Sequence, residues 1–349
     1  METKRFNYID MLKGVGIICV VAGHSTMLPV ALQQWVESFH MALFFVAAGA
    51  LIGQQKSYTK TSETVIKARS RSILIPFFWF SLIAMLWDTV GLYLDPQQYN
   101  VSGLKEKIWD SCTFYGVSVL WFLPAFFVAV TGYQIMRRYV KLWITTIIVI
   151  GLAVLVCLCD SIPDYILGMD KSPLVFFLQV AFVFWRGVIG MLFCAVGEIA
   201  AWGVERLREH RMIKLLLGIV LLAGGTFLAM KNGMVSFRYL IVGNMALFFL
   251  IGSAISIGFL FLCEWIGEFR PMEYLGRYSM VIFLTHLDLR VMNIAIKCSD
   301  KVFALTDNNF AKYITVGIVL ILLELVIVNV MDRYFGFLLG KKRRERKAI

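Results

Sequence analysis

The chain has 349 residues, of which 59% are hydrophobic and 16% are charged, and its mean hydropathy is +0.76. This composition excludes an ordinary soluble globular domain and indicates an integral membrane protein. The formal net charge of +11 does not point to a nucleic-acid partner. A positive-inside bias and a basic tail that can lie against anionic lipid explain it without one.

Ten apolar runs of about 20 residues predict an all-α polytopic transmembrane bundle. In chain order the runs are 12–29, 35–53, 72–94, 117–136, 141–159, 174–202, 213–230, 239–263, 275–297 and 311–338. The sixth run is too long for one simple span, so it is steeply tilted, broken, or re-entrant from residue 173 to about residue 186. We interpret residues 1–340 as one membrane domain and residues 341–349 as a basic cytoplasmic tail.

The distribution of Lys and Arg predicts the orientation of the bundle. With the N-terminus placed in the cytoplasm, 24 of the 34 Lys and Arg residues fall in inside segments and 8 in outside segments. Because cytoplasmic loops are enriched in these residues, we expect an even number of spans, both termini in the cytoplasm, and a location in the inner (cytoplasmic) membrane of the cell.

Three of the four histidines fall in predicted spans. His24 lies about 16 Å from the inner end of the first run, and His286 lies about 15 Å from the inner end of the ninth. His40 is in the outer half of the second run, so the three imidazoles are predicted at a similar depth. An ionisable group in hydrocarbon is a functional-site candidate by default. The alternative is that each histidine makes one inter-helix hydrogen bond that holds the packing.

Arg186 lies inside the sixth run. A guanidinium at a helix centre costs about 2.5–3.5 kcal/mol on insertion scales, so Arg186 is expected to face a partner or a water-filled cavity. Its candidate partners are Glu198, Glu324, Asp288 and Arg290. If the segment is re-entrant, Arg186 instead lies near the outer interface and extends its side chain toward water.

Arg69 and Arg71 stand at the inner mouth of the third run. Two guanidinium groups there can bind phosphates through bidentate charge-assisted hydrogen bonds, although ordinary positive-inside charge is an equal alternative. Trp121 offers a stacking face for a sugar or an adenine, and an interfacial aromatic belt explains such a residue equally well. The spacing of the cysteines and histidines predicts no metal site.

Five blocks of this sequence resemble the acyltransferase-3 family of membrane proteins. The first block resembles the family's opening helix, Arg-x-x-x-Ile-Asp-x-x-Lys-Gly-Ile-Gly-Ile and, further on, Gly-His. It is filled here by Arg5, Ile9, Asp10, Lys13, Gly14, Gly16, Ile17, Gly23 and His24. The other blocks cover residues 39–49, 69–76, 120–127 and 275–286. They stand in the family's order, and the resemblance is closest to the sugar O-acetyltransferase branch that includes fucose-4-O-acetylase-like proteins.

Three residues depart from the family's pattern. Ala42 replaces the usual proline and Ala48 the usual serine of the second block, and Phe283 replaces an aromatic residue that carries a hydroxyl. These changes bear on the shape of the second span and on a polar contact. They concern the choice of substrate rather than the type of reaction.

The resemblance implies acyl transfer from a cytoplasmic acyl-CoA, most often acetyl-CoA, to a hydroxyl of an extracytoplasmic or lipid-linked sugar. The acyl-CoA is then a donor substrate and not a permanently bound cofactor. A neutral imidazole can act as a general base for this reaction, or less directly as a transient acyl carrier. The candidate roles are catalysis for His24 and His286, donor binding for Arg69, Arg71 and Lys13, and acceptor binding for His40, Arg186 and Trp121.

Two other classes of protein remain as alternatives. A transporter or flippase for a glycan or lipid-linked sugar would also place His and Arg in a cavity. It would not need paired arginines at the inner mouth, and it predicts an internal repeat, which the sequence does not show. A regulatory membrane domain that binds acyl-CoA or lipid without turnover predicts that His24→Gln is silent. The sequence makes no prediction of oligomeric state.

Overall fold

The computed structural model describes residues 5–25, 28–158, 171–287, 289–302 and 309–341. Residues 342–349 of the predicted basic tail lie outside this part of the chain. The helices are α1 (Asn7–Gly23), α2 (Val30–Glu37), α3 (His40–Gln54), α4 (Ser62–Arg69), α5 (Ile75–Leu94), α6 (Val101–Cys112), α7 (Phe122–Tyr139), α8 (Leu142–Cys157), α9 (Pro173–Arg206), α10 (Arg211–Asn232), α11 (Met245–Ile266), α12 (Arg270–Arg277), α13 (Ser279–Thr285), α14 (Val291–Val302) and α15 (Asn309–Tyr334). Only an isolated bridge between Ser236 and Ile241 has β character in the described residues, so the predicted all-α class is confirmed.

The predicted transmembrane character is also confirmed. Seven helical segments in the described part of the chain are long and apolar enough to cross a bilayer. They are Val30–Gln54, Ser62–Leu94, Ser118–Tyr139, Pro173–Arg206, Arg211–Asn232, Met245–Ile266 and Lys312–Tyr334. The first and fifth predicted runs form shorter helices of 17 and 16 residues, α1 and α8.

The ninth run, 275–297, was predicted as one continuous span, and this prediction is wrong. α12 ends at Arg277, α13 ends at Thr285, and α14 begins only at Val291. Arg290, the residue immediately before α14, has a φ of +57°, a left-handed conformation that costs a non-glycine residue roughly 1–2 kcal/mol and that a continuous helix does not contain. His286 therefore follows the last residue of α13 instead of lying inside a span.

The sixth run is one unbroken helix. α9 has 34 residues, which corresponds to a length of about 51 Å, and it starts at Pro173, a residue well suited to the first helical position. The broken and re-entrant interpretations are therefore wrong. Because the hydrocarbon core is about 30 Å thick, a helix of this length tilts or extends beyond the bilayer.

Contacts divide the chain into two compact units. The first unit contains residues 1–65, 129–160 and 188–280, and within it α1 packs against α12 and α3, and α10 packs against α11. The second unit contains residues 66–128, 161–187 and 281–349. Within the second unit α5 packs against α6, and α14 packs against α15.

Two glycines bring α3 and α9 close together in the first unit. A Cβ atom on Gly49 would overlap the backbone carbonyl of Cys194, and a Cβ atom on Gly197 would overlap the carbonyl of Val46. Small residues permit such close backbone approach between membrane helices. This crossing fixes α3, which carries His40 at its first position.

Alanine at either crossing glycine is expected to destabilise the protein. Gly49→Ala and Gly197→Ala force the two backbones apart, and overpacking of this kind costs about 1–3 kcal/mol. Gly151→Ala and Gly224→Ala are matched controls, because a Cβ atom there meets nothing within 4 Å. Thermal unfolding in detergent should show a lower midpoint for the first pair only. Equal midpoints for all four variants would contradict the close crossing.

Candidate active site

His24 stands at the C-terminal end of α1. The helix ends at Gly23, so the predicted boundaries of the first run, 12–29, are wrong, and His24 follows the last helical residue. The Nδ1 atom of His24 lies 2.8 Å from the carbonyl oxygen of Val20. A carbonyl oxygen can only accept a hydrogen bond, so Nδ1 carries the proton and donates it. Nε2 is therefore the basic nitrogen of the neutral ring.

His40 is held in the same manner. It is the first residue of α3, and its Nδ1 lies 2.9 Å from the carbonyl oxygen of Val36. The preceding residue, Phe39, has a non-helical φ of −143°, which breaks the predicted run 35–53 into α2 and α3. His40 is buried. Nδ1 thus carries its proton inside the protein, and Nε2 is again the basic nitrogen.

The two histidines of the first unit share an electrostatic environment. Groups that interact with His24 include His40, Glu37 and Arg238, and Glu37 Oε2 lies 4.0 Å from Nδ1 of His40. Glu37 therefore places a carboxylate beside both imidazoles. The sequence analysis did not single out Glu37. Its position three residues before His40 was the available signal, because such residues are neighbours on a helical turn.

Lys13 belongs to the first unit and pairs with Asp10. Its Nζ lies 2.6 Å from Asp10 Oδ1, which is an ion pair within the first turns of α1. Both side chains are partly buried. The ammonium group keeps donors beyond this single pair, since it has three, and the role of Lys13 in donor binding stays a prediction.

His286 belongs to the second unit and is completely buried. Its Nδ1 lies 3.0 Å from the carbonyl oxygens of both Ile282 and Phe283. As with His24 and His40, the proton is on Nδ1, and Nε2 is the basic nitrogen. All three candidate histidines thus fold back on the preceding helical turn, which selects the same tautomer in each. Their convergence at one depth stays a prediction.

A buried carboxyl group accompanies His286. Thr285 Oγ1 lies 2.7 Å from Oε2 of Glu324 and 2.8 Å from the carbonyl oxygen of Val281. Glu324 was proposed as a partner of Arg186, and its contact with Thr285 shows that this prediction is wrong. The sequence offered no signal for this pair, because its members lie 39 residues apart on different helices.

Glu198, another proposed carboxylate partner of Arg186, pairs with a different arginine. Glu198 accepts hydrogen bonds from Arg137, with Nη2–Oε1 and Nε–Oε2 distances of 2.9 and 3.0 Å, so this prediction is wrong. Residue 288, the third candidate, lies outside the described residues. Arg290 stacks instead over the rings of Trp87 and Tyr99, 5.1 and 5.4 Å from their centroids.

Arg186 sits in an aromatic cage within the second unit. It is 0% exposed, so the interpretation that it extends toward water is wrong. Its guanidinium carbon lies 4.5 Å from the ring centroid of Tyr115, 4.6 Å from that of Phe182 and 5.2 Å from that of Trp121. Its Nη1 also donates to the carbonyl oxygen of Tyr115 at 3.2 Å. Desolvated cation–π contacts contribute about 2 kcal/mol or more.

The cage brings two predicted acceptor residues together. Trp121 is buried beneath Arg186, not placed in an exposed aromatic belt. Of the two ring residues that the sequence analysis missed, Phe182 precedes Arg186 by one helical turn and was detectable from that spacing. Tyr115 has no such relation, because it comes from a separate loop.

Arg69 precedes an irregular turn in the second unit, and Arg71 lies within that turn. α4 ends at Arg69, a π-helical turn covers Ser70–Leu74, and α5 follows. π-Turns of this type occur frequently at functional sites. Both arginines are half-buried, and Arg71 Nε donates to the carbonyl oxygen of Gly340 at 2.6 Å. This bond holds the guanidinium of Arg71 through Nε.

Comparison with known families decides the class of protein. A family model described as an acyltransferase domain matches residues 6–329. The chain belongs to the acyltransferase-3 family. The resemblance found in the five sequence blocks is thereby confirmed at the level of the family, and the protein is a multi-pass membrane acyltransferase. No curated protein and no solved structure matches the chain significantly.

Proposed function

We propose that this acyltransferase-3 protein transfers an acyl group, most readily acetyl, from cytoplasmic acyl-CoA to a hydroxyl of an extracytoplasmic or lipid-linked sugar. It would act in the cytoplasmic membrane with both termini inside, as a member of the fucose-4-O-acetylase-like branch. The observation that carries this proposal is the 2.8 Å contact between Nδ1 of His24 and the carbonyl oxygen of Val20. A carbonyl only accepts a hydrogen bond, so this contact favours the tautomer in which Nε2 is the basic nitrogen.

His24 acts as the general base of this reaction. Nε2 takes the proton of the attacking hydroxyl as its oxygen forms a bond to the thioester carbonyl carbon. The carbon–sulfur bond then breaks, the sugar ester is released, and the CoA thiolate leaves and recovers the proton from the imidazolium. Glu37, whose charge acts on His24, stabilises that imidazolium. General-base catalysis contributes about 10²–10⁴-fold.

The remaining residues bind the two substrates. Arg69 and Arg71 hold the phosphates of CoA by charge-assisted hydrogen bonds, and Lys13 contributes a further positive charge. Trp121 and Arg186, which contact each other in the buried cage, and His40 are the proposed acceptor-binding residues. His286 takes part in the proton transfer.

A transfer assay tests this function. Purified protein in nanodiscs is given radiolabelled acetyl-CoA together with a panel of free and lipid-linked sugars. Label in an esterified sugar, released by mild base, supports the proposal. Folded protein that binds no acyl-CoA at any concentration tested, while it moves a lipid-linked sugar between leaflets, would contradict it in favour of a transporter.

The double variant Arg69→Ala/Arg71→Ala is expected to raise the KM for acetyl-CoA. Hydrogen bonds to charged groups contribute about 1.5–3 kcal/mol each, so the KM should rise about tenfold or more, while kcat changes little. Lys67→Ala is the matched control, because Lys67 is an exposed cation in the same helix, α4. Steady-state kinetics against acetyl-CoA measure both. An equal KM in the double variant and the control would refute the donor site.

A further inference from the structure

Glu324 is a carboxylic side chain in the middle of α15, a membrane-spanning helix. Its side chain is 2% exposed, and Thr285 and His286 beside it are 0% exposed. Oε1 has no hydrogen-bond partner, and Glu324 makes no ion pair with any residue that the structure describes. A buried ionisable group of this kind in a membrane helix indicates a functional role.

Counting hydrogens assigns the protonation state of this group. The hydroxyl of Thr285 has one proton, yet Oγ1 lies within 2.8 Å of two oxygens, the Val281 carbonyl and Oε2 of Glu324. A threonine in a helix commonly donates to the carbonyl of the preceding turn. When the hydroxyl proton is donated to Val281, the contact between Oγ1 and Glu324 requires a proton on Oε2. An ionised carboxylate here would have no counter-ion and one oxygen without a hydrogen bond, which burial strongly disfavours.

We propose that Glu324 is a neutral carboxylic acid that acts as a positioning residue for His286. Oε2–H donates to Thr285 Oγ1, and the Thr285 hydroxyl donates to the carbonyl of Val281. The neighbouring carbonyl, that of Ile282, accepts from Nδ1 of His286. The acid thus fixes the last turn of α13 and with it the orientation of the imidazole. This inference rests on the proposed function, because the role of His286 in acyl transfer is part of that function.

Infrared spectroscopy tests the protonation state without reference to activity. The difference spectrum between the wild type and Glu324→Gln at neutral pH should contain the carbonyl stretching band of a protonated carboxylic acid, which shifts when water is exchanged for deuterium oxide. A difference spectrum with carboxylate bands alone would overturn the proposal.

Variants test the positioning role. Glu324→Gln keeps one donor and one acceptor, so kcat should stay within about twofold of the wild type. Glu324→Leu and Thr285→Val cannot complete the chain of hydrogen bonds, and kcat should fall by as much as 10²-fold, since misplacing a catalytic group by about 1 Å has an effect of that size. The KM for acetyl-CoA should not change, and Thr285→Ser should restore kcat. Full activity in Glu324→Leu would overturn the proposal.

Asn329→Leu is the matched control, because it removes a polar side chain from an exposed position of the same helix. Hydrogen–deuterium exchange over residues 279–290 gives a readout that needs no substrate. Exchange should be faster in Glu324→Leu and Thr285→Val, and unchanged in Glu324→Gln and the control. If the wild type transfers no acyl group, the proposed function fails, whereas the infrared band and the exchange rates still decide whether Glu324 is neutral and holds this turn.

Discussion

His24→Ala is expected to lower kcat by about 10²–10⁴-fold, the range that a general base contributes. The KM for acetyl-CoA should stay close to that of the wild type, because Arg69 and Arg71 bind the donor in this proposal and are unchanged. The ring of His24 donates a hydrogen bond to the carbonyl oxygen of Val20 at the end of α1, and the loss of this hydrogen bond should leave the protein folded. Single-turnover transfer of labelled acetyl measures the chemical step directly.

His210→Ala is the control for the loss of an imidazole. His210 is the one histidine that lies outside the candidate site, and it is exposed at the start of α10. The His210→Ala variant should retain full activity. The His24→Ala variant should recover part of its activity when free imidazole is added as a base. His24→Gln should be as inactive as His24→Ala, since an amide does not accept a proton near neutral pH. Normal turnover by His24→Gln would contradict the general-base role of His24 and would favour a regulatory domain.

The class of fold and most helix positions could be predicted because they depend on local hydrophobicity. Runs of apolar residues specify helices in lipid whatever their neighbours are. The break between α13 and α14 could not be predicted, because no glycine or proline occurs between residues 278 and 297. Arg290 adopts its left-handed conformation while its guanidinium stacks on Trp87 and Tyr99, and such contacts between distant residues leave no periodic signal.

The sequence could show which residues are candidates for the site, but not which residues they contact. A histidine or arginine inside an apolar run stands out because its burial is costly. The tautomers of His24 and His40 depend on a carbonyl four residues earlier, so they follow from helical geometry once the helix ends are known. The cage of Arg186 needs Tyr115, 71 residues away, and contacts between an arginine and such distant aromatic rings leave no periodic signal in the sequence.

Glu198→Ala is expected to cost about 3–5 kcal/mol of stability, the usual effect of breaking a buried ion pair. Glu198 is 6% exposed and accepts two hydrogen bonds from Arg137 and a third, at 2.6 Å, from the hydroxyl of Tyr133. Both donors are on α7, whereas Glu198 is on α9. Alanine leaves the partly buried guanidinium of Arg137 without its counter-ion and removes the polar contact between the two helices.

Three further variants separate charge from packing in this network. Tyr133→Phe removes one neutral donor and should cost about 1 kcal/mol, since the ion pair survives. Glu198→Gln keeps the shape of the side chain but not its charge. Its loss of stability should therefore fall between those of Tyr133→Phe and Glu198→Ala. Glu205→Ala, at an exposed position of the same helix, should be near neutral. Chemical denaturation in detergent ranks the four. If Glu198→Ala is no less stable than Glu205→Ala, the pair does not hold α7 to α9, and the crossing of α3 with α9 at Gly49 and Gly197 must supply the stability of this unit.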